Sequence, residues 1–157
     1  DPAMFGTVAG LNVPYIMMHM RGTPQTMQQH TGYTDMMEEI MLYFASKVRE
    51  LRLLGVNDII LDPGFGFSKT VDQNYLLMNR LQEFGVFDLP LLVGISRKSM
   101  IYRFLGGTPA DSLNGTTVLN AFALMNGTDI LRVHDVKAAV ETVKIITKLK
   151  VEDHVHP

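Results

Sequence analysis

Four short apolar runs, separated by longer amphipathic stretches, set the pattern of this chain. The runs are Val13–Met18, Asp58–Leu61, Leu91–Ile95 and Ile130–Val133. A run that is continuously apolar, rather than alternating, is typical of a strand buried on both faces, and such strands joined by helices form parallel sheets. Consecutive runs start far enough apart to hold a helix between them. The pattern therefore predicts an α/β fold with four βα units.

The stretches between the runs have the spacing of amphipathic helices. In the clearest one, Asp35 and Glu38 match the Asp-x-x-Glu capping box, and apolar residues recur on one face as far as Leu51. Gly55 follows as a left-handed C-terminal cap. Further helices are predicted over residues 73–83, 99–105, 109–125 and 136–149.

Composition is that of a globular protein. Of the 157 residues, 46% are hydrophobic and 19% charged, and 14 Lys and Arg against 16 Asp and Glu give a net charge of −2. The chain lacks the basic excess of nucleic-acid binders, and no apolar run reaches the roughly 18 residues of a membrane helix. The absence of cysteine excludes disulfides, a thiolate nucleophile and Cys-type zinc sites. We expect a cytoplasmic domain over residues 1–150 with neither nucleic-acid nor membrane partners, followed by a disordered tail over residues 151–157.

Polar groups that core packing does not need follow every apolar run. Because the carboxyl ends of parallel strands meet at one edge of the sheet, these groups are expected to gather there, where α/β folds place their sites. For a single strand, a polar residue that merely starts a loop explains the pattern equally well, but four in succession favour a site. The groups are His19 and Arg21, then Asp62, then Ser96, Arg97 and Lys98, and finally Arg132 and His134.

The segment after the second run carries a carboxylate and a glycine-rich loop. Asp62 precedes Pro63, which favours an extended backbone, so its carboxylate can accept hydrogen bonds from the N–H groups of a heterocycle. Capping of the nearby loop is the alternative role. The loop is not a phosphate-binding P-loop, because Ser68 stands where that motif needs a glycine before Lys69. Its two glycines lie among two phenylalanines, which indicates either aromatic surface beside a ligand or a hydrophobic plug.

Basic side chains follow the third and fourth runs. Ser96–Ser99 places Arg97 and Lys98 at a strand-to-helix junction, where backbone N–H groups and cations form anion sites. Arg132 and His134 share one side of an extended strand, which suits a second anion site or, alternatively, a surface salt bridge. Local positive charge in a chain of net charge −2 favours a polyanionic small molecule such as a pyrophosphate.

Four segments together resemble the motifs of the dihydropteroate synthase family, in order and in spacing. They are Met18–Gly22, Leu61–Phe67, Gly94–Ser99 and Arg132–Asp135. The resemblance implies a (β/α)8 TIM barrel and a transferase of folate biosynthesis, the target of sulfonamides. This family joins p-aminobenzoate to 6-hydroxymethyl-7,8-dihydropterin pyrophosphate and releases pyrophosphate.

The resemblance also implies which residues bind the pterin. Asp62 and Lys98 resemble the family's pterin-ring contacts, and Met18 and Gly94 resemble the lining of its pterin pocket. Arg132 resembles a residue that covers the ring and also binds the pyrophosphate. Of these residues, Asp62, Lys98 and Arg132 are the implied catalytic set.

The remaining implied roles concern the other substrate groups. His134 resembles a second ligand of the pyrophosphate. Ser99, at a helix start, resembles the group that meets the aminobenzoate carboxylate, and Phe67 resembles a wall of that pocket. No residue of this chain is implied as a metal ligand, since Mg²⁺ is expected to bind through the substrate pyrophosphate and through family residues missing from this chain.

The chain departs from the family in length. A complete barrel has about 250 residues and eight strands, whereas this chain has 157 residues and four predicted strands. By the resemblance, it begins in the helix before the fifth strand. We therefore expect the C-terminal half of the barrel, with an exposed apolar face, inactive alone and homodimeric when intact. Two alternatives remain: a non-catalytic half-barrel that binds pterin or phosphate, and another phosphate-handling barrel enzyme.

Overall fold

The computed structural model describes the backbone of residue 1 and residues 3–152, and the side chains of residue 1 and residues 3–150. In this part of the chain, strands and helices alternate after an N-terminal helix, except that two α-helices separate the last two strands. The helices are α1 (Met4–Leu11), α2 (Met36–Leu53), α3 (Val71–Asn79), α4 (Ser99–Leu105), α5 (Leu113–Met125) and α6 (Val136–Glu152). The strands are β1 (Tyr15–Met18), β2 (Ile59–Asp62), β3 (Leu92–Val93) and β4 (Ile130–Leu131). Short 3-10 helices cover Met27–Gln29, Leu81–Phe87 and Pro109–Ser112.

The strands run parallel and lie side by side in their order along the chain. β1 pairs with β2 along its whole length, with Met18 opposite Asp62, and β3 pairs with β4. Between β2 and β3, the Leu61 amide donates to the Pro90 carbonyl at 2.8 Å, and Leu61 forms a parallel bridge with Leu91. The predicted parallel α/β fold is confirmed, and the described strands do not close into a barrel.

Helices cover one face of this sheet and leave part of the other face open. On the covered face, the paired Met17 and Leu61 are 1% and 0% exposed. On the opposite face, Ile16 keeps 49% of its surface exposed. The prediction of strands buried on both faces is therefore wrong for β1, whereas the expected exposure of an apolar face is confirmed.

The core lies between the sheet and the helices, and α2 contributes much of it. One face of α2 buries apolar residues at helical spacing, namely Met37, Ile40, Phe44, Val48 and Leu51. Asp35 caps this helix as predicted, because its side chain accepts a hydrogen bond from the Glu38 amide at 3.0 Å. In the predicted capping box, the Glu38 side chain would accept a hydrogen bond from the Asp35 amide. The structure differs, because the Glu39 side chain instead accepts a hydrogen bond from the Thr34 amide at 2.9 Å. Gly55, with φ of +84°, follows the helix in the predicted left-handed conformation.

Two strands are shorter than their apolar runs. β3 occupies only the centre of Leu91–Ile95, and β4 only the first half of Ile130–Val133. The residues beyond each strand leave the hydrogen-bonded ladder and form the loops that carry the polar groups of the sheet edge.

Helix boundaries follow local capping rather than apolar spacing. α3 begins earlier than predicted because Thr70 and Gln73 form a capping box. The predicted helices over residues 73–83 and 109–125 each divide into a 3-10 helix and an α-helix. α6 includes residues 151 and 152, and the rest of the expected tail, residues 153–157, lies outside the described residues. None of the described helices combines the length and apolarity needed to span a bilayer.

Candidate active site

Asp62 ends β2 with its carboxylate buried at the carboxyl edge of the sheet. The residue is 2% exposed, and Oδ1 accepts a hydrogen bond from the Gly64 amide at 2.8 Å. Burial raises the pKa of Asp62, while the Gly64 bond and the positive charges of Arg132, Lys98 and Lys69 act in the opposite direction. Asp62 therefore caps the loop with one oxygen and at the same time faces three cations.

The loop after Asp62 passes closely over the end of β1. Gly64 has φ of +72°, and a Cβ at this position would lie 2.0 Å from the His19 carbonyl oxygen, so only glycine fits. Further along, Ser68 has φ of +50°, and its hydroxyl accepts a hydrogen bond from the Arg21 amide at 2.7 Å. These two contacts join the loops that follow β1 and β2.

The two phenylalanines of this loop have different surroundings. Phe65 is fully buried, which matches the hydrophobic plug. Phe67 is half-buried, and its ring centroid lies 4.6 Å from Lys98 Nζ, a cation–π contact. Only Phe67 therefore offers aromatic surface to the edge of the sheet.

Lys98 precedes α4 and reaches back over the same loop. Its ammonium donates a hydrogen bond to the Phe65 carbonyl oxygen. Burial lowers the pKa of Lys98 to about 8, with the charge of Arg132 acting in the same direction and Asp62 opposing it. The positive charge of Arg132 also acts to lower the pKa of Asp62. The three predicted catalytic residues therefore lie close enough to influence one another electrostatically.

A cavity of about 270 Å³ opens beside Lys98 and collects the basic groups. Arg132 and His134 both line it, although they lie beyond the end of β4 rather than within the strand. Gly94 makes room for the guanidinium, since a Cβ there would lie 2.9 Å from Arg132 Nε. The Ser96 hydroxyl accepts a hydrogen bond from the His134 amide at 3.2 Å and so ties the third strand end to the fourth.

Arg97 does not add its charge to this cavity. Its guanidinium donates to both carboxylate oxygens of Asp135, at 2.9 Å and 2.6 Å. These hydrogen bonds raise the pKa of Arg97 and lower the pKa of Asp135. The expectation that Arg97 contributes to an anion site is thus wrong, because its guanidinium is already paired with the Asp135 carboxylate.

The structure places Ser99 and Met18 outside the cavity that holds Arg132. Ser99 lines a neighbouring cavity of about 500 Å³, together with Lys69 and Arg103. Met18 ends β1 against the glycine loop, where a Cβ on Gly64 would lie 3.4 Å from Met18 Cγ. The eight predicted residues therefore occupy one edge of the sheet but do not share one cavity. Gly94, Lys98, Arg132 and His134 line the first cavity and Ser99 lines the second, whereas Met18, Asp62 and Phe67 lie at the ends of β1 and β2 and in the loop that follows β2.

Sequence reasoning placed His19 at the sheet edge but missed Lys69 and the pairing of the two residues, which are both 3% exposed. Lys69 Nζ lies 3.1 Å from His19 Nδ1. Burial lowers the pKa of Lys69 to about 7 and that of His19 to about 3. The sequence offers one weak signal, a lysine directly after a glycine-rich apolar loop, and its burial depends on contacts from β1.

No metal centre is formed by the described residues. Among them, no three His, Asp or Glu side chains come together as a metal-binding group. The groups at the sheet edge are mainly cationic and suit phosphate oxygens rather than a divalent cation. The expected Mg²⁺ therefore has no protein ligand set within the described part of this chain.

Comparisons with known proteins agree on one family. The profile of the pterin-binding enzyme family matches residues 1–134. Dihydropteroate synthase of Escherichia coli K12 is 41% identical over 148 residues, which are 93% of this chain and 52% of that protein. The structure of Yersinia pestis dihydropteroate synthase with a sulfonamide drug complex matches with a TM-score of 0.92 at 38% identity, covering 96% of this chain and 56% of that one. The structure of the Thermus thermophilus synthase in complex with 6HMPPP matches with a TM-score of 0.91 at 36% identity. The match covers 96% of this chain and 61% of that one.

These comparisons confirm the resemblance seen in the sequence motifs. The chain spans about half the length of the curated relatives it matches. Its fold is correspondingly a part of the TIM barrel of these synthases. With most of its length matched by the family profile, the chain belongs to the pterin-binding enzyme family.

Proposed function

We propose that this chain carries the pterin and pyrophosphate site of a dihydropteroate synthase, a transferase of folate biosynthesis. The observation that carries the proposal is the convergence of Asp62, Lys98 and Arg132, which come from three different strand ends, at one edge of the sheet. The similar synthase of Thermus thermophilus has been crystallised with 6HMPPP and with 4-aminobenzoate. Those ligands support the same two substrate classes here.

The pterin ring is assigned to the space beside Asp62 and Lys98. Ring and amino N–H groups of the pterin donate to the Asp62 carboxylate, and the Lys98 ammonium donates to acceptor atoms of the ring. Met18 and Gly94 provide the lining. A carboxylate beside the ring stabilises the positive charge that develops on the pterin as the pyrophosphate leaves.

The leaving group is assigned to the cavity lined by Arg132 and His134. The bond between the methylene carbon and the pyrophosphate oxygen breaks, and its electron pair goes to the leaving oxygen, whose charge Arg132 stabilises. The aminobenzoate nitrogen then bonds to the methylene carbon and loses a proton. Mg²⁺ bound to the pyrophosphate would supply further positive charge at this leaving group.

The aminobenzoate is assigned to the neighbouring cavity that contains Ser99. The Ser99 hydroxyl, at the start of α4, can donate a hydrogen bond to the carboxylate, and the exposed part of Phe67 provides a wall for the ring. A sulfonamide is expected to compete with p-aminobenzoate for this place.

The test is isothermal titration of the chain with 6-hydroxymethyl-7,8-dihydropterin pyrophosphate, with glucose 6-phosphate as the control ligand. Selective binding of the pterin compound supports the proposal. Pyrophosphate release on addition of p-aminobenzoate and Mg²⁺, inhibited by a sulfonamide, extends it to catalysis by the chain itself. Equal or absent binding of both ligands contradicts it.

A non-catalytic pterin-binding half-barrel is the second candidate. It is favoured by the open sheet face at Ile16, which keeps 49% of its surface exposed. Selective binding of pterin pyrophosphate without any turnover would distinguish this function from the enzyme. The third possibility, an unrelated phosphate-handling barrel, does not fit the family match.

The resemblance further leads us to propose that the complete enzyme is a cytoplasmic homodimer. Sedimentation equilibrium of the purified protein tests the assembly, and fractionation of cells tests the location.

A further inference from the structure

We propose that Lys69 is a positioning residue: it fixes the loop of residues 64–67, on which the Lys98 ammonium is held, and thereby shapes the pterin side of the site. This inference rests on the function proposed above, because it assigns a role within the same site. Lys69 is not among the residues implied by the family motifs.

The ammonium of Lys69 is fully engaged with neighbouring acceptors. Nζ lies 3.1 Å from each of three acceptors, the carbonyl oxygens of Gly64 and Phe67 and the ring Nδ1 of His19. An ammonium has three protons, so one donor is available for each acceptor. The bond to Nδ1 requires the proton of the neutral imidazole to lie on Nε2, and the low pKa of His19 is consistent with this neutral form.

These bonds close the loop on itself. Gly64 and Phe67 are the first and last residues of the segment, and the Phe67 amide also donates to the Gly64 carbonyl at 3.1 Å. A second clamp comes from Asn74, whose Oδ1 accepts a hydrogen bond from the Gly66 amide at 2.7 Å. The segment therefore has a defined conformation in which Lys69 ties together both ends and the end of β1.

The same segment holds the Lys98 ammonium. The Phe65 carbonyl accepts its hydrogen bond, and the Phe67 ring lies beneath it. Removing the Lys69 ammonium would leave the Phe67 carbonyl and the His19 ring without this donor, and the Gly64 carbonyl would keep only its bond from the Phe67 amide. The segment would then relax, and Lys98 would lose its fixed position beside Asp62.

The titratable groups around Lys69 come from three places in the fold. His19 and Arg21 follow β1, Asp62 ends β2, and Lys98 precedes α4. Burial lowers the pKa of Lys69 to about 7, with Lys98 acting in the same direction and Asp62 opposing it. Measurements at pH 6, where Lys69 is protonated, therefore test the arrangement described here.

The experiment compares the Lys69→Met chain with wild type by isothermal titration at pH 6, using two ligands separately. Pterin pyrophosphate probes the loop side of the site, and inorganic pyrophosphate probes the cavity of Arg132 and His134. We expect the affinity for pterin pyrophosphate to fall about tenfold or more and the affinity for inorganic pyrophosphate to change less than about twofold. Lys137→Met, at an exposed position of α6, is the matched control and is expected to bind both ligands as wild type does.

Hydrogen exchange at the Gly66 and Phe67 amides provides a readout without ligand. Both amides are expected to exchange faster in Lys69→Met than in wild type, and at the wild-type rate in Lys137→Met. If Lys69→Met does not fold, Lys69→Gln, which retains two donors, is compared in the same way.

The outcomes separate this inference from the proposed function. Unchanged pterin pyrophosphate affinity and unchanged exchange overturn the positioning role, as does an equal loss of affinity for both ligands, which indicates a general structural defect. If the wild-type chain binds no pterin pyrophosphate, the proposed function fails, and the exchange rates alone decide whether Lys69 fixes the loop.

Discussion

Asp62 combines a structural bond with an electrostatic position. One carboxylate oxygen accepts a hydrogen bond from the Gly64 amide. The positive charges of Lys98, Arg132 and Lys69 act to lower the pKa of the same carboxyl group. Burial disfavours the negative charge, but the neighbouring cations and the amide favour it. A single residue therefore links the loop conformation to the charge of the proposed ligand site.

Asp62→Asn is expected to separate these two roles. Asparagine can still accept the Gly64 amide, so the fold should persist, but it carries no negative charge toward the pterin. Loss of a charged hydrogen bond predicts an affinity for pterin pyrophosphate lowered by about tenfold or more. Titration calorimetry measures the effect, with Asp72→Asn on the exposed first turn of α3 as the control. Wild-type affinity in the Asp62 variant would remove this residue from the pterin site.

The ion pair of Arg97 with Asp135 acts at the same scale but stabilises the fold. It connects the loop after β3 to the loop after β4, and Arg97 accepts a φ of +55° to make it. Its hydrogen bonds lower the pKa of Asp135. The pair therefore favours the folded state when Asp135 is ionised.

This pair makes stability depend on pH. The folded-state pKa of Asp135 is below the unfolded value of about 3.9. The stabilisation is therefore present above that pH and is lost as pH falls through the folded-state pKa. Asp135→Asn is expected to have a lower thermal midpoint than wild type at pH 7, and the difference should shrink as pH falls below about 4. Asp58→Asn, an exposed carboxyl before β2, should follow wild type; a constant difference for Asp135→Asn at every pH would contradict the assignment.

At the scale of elements, the ladder joins the ends of β1 and β2, whereas the other strand ends are held together mainly by contacts of their loops. β3 and β4 share only a short ladder, and β2 meets β3 through one bridge. The close approach of Gly64 to His19 joins the ends of β2 and β1, and the Ser96 bond joins the ends of β3 and β4. The geometry of the site thus depends on backbone contacts between loops.

Gly64→Ala tests this dependence. A Cβ at Gly64 would meet the His19 carbonyl at 2.0 Å in a left-handed conformation, so the variant is expected to lose about 2 kcal/mol of unfolding free energy or more. Gly10→Ala, within α1, meets no atom within 4 Å and is expected to be neutral or stabilising by up to about 1 kcal/mol. Urea unfolding of both variants measures the difference, and equal stabilities would show that the contact is not needed.

At the scale of the whole molecule, the proposed site for the pterin ring and the proposed site for the pyrophosphate lie at different strand ends. Asp62 and the glycine loop come from the β2 end, whereas Arg132 and His134 come from the β4 end. Lys98, from the β3 end, lies between them and responds to both Asp62 and Arg132. The parallel sheet brings all three ends to one edge.

Arg132→Met is expected to reveal this division. The variant should bind inorganic pyrophosphate about tenfold more weakly, because it loses a charged bidentate donor. Asp62→Asn should retain the affinity for inorganic pyrophosphate, since it removes only a negative charge. Titration calorimetry with this ligand compares the two, and Arg52→Met on α2 is the control. If Asp62→Asn and Arg132→Met lose similar affinity for inorganic pyrophosphate, the ring and the pyrophosphate are not bound by separate groups of residues.

The amino-acid sequence by itself determined the parallel α/β fold, the edge that carries the site and the family, because apolar spacing and motif order are local properties of the chain. It also placed Asp62, Lys98 and Arg132 at that edge, since parallel strands share one direction. Only the tertiary structure decided that Arg97 is paired with Asp135 and that Ser99 faces a second cavity. It alone buried Lys69 against His19, fifty residues away. These outcomes depend on which loops meet in space, and no short-range pattern of the sequence records such distances.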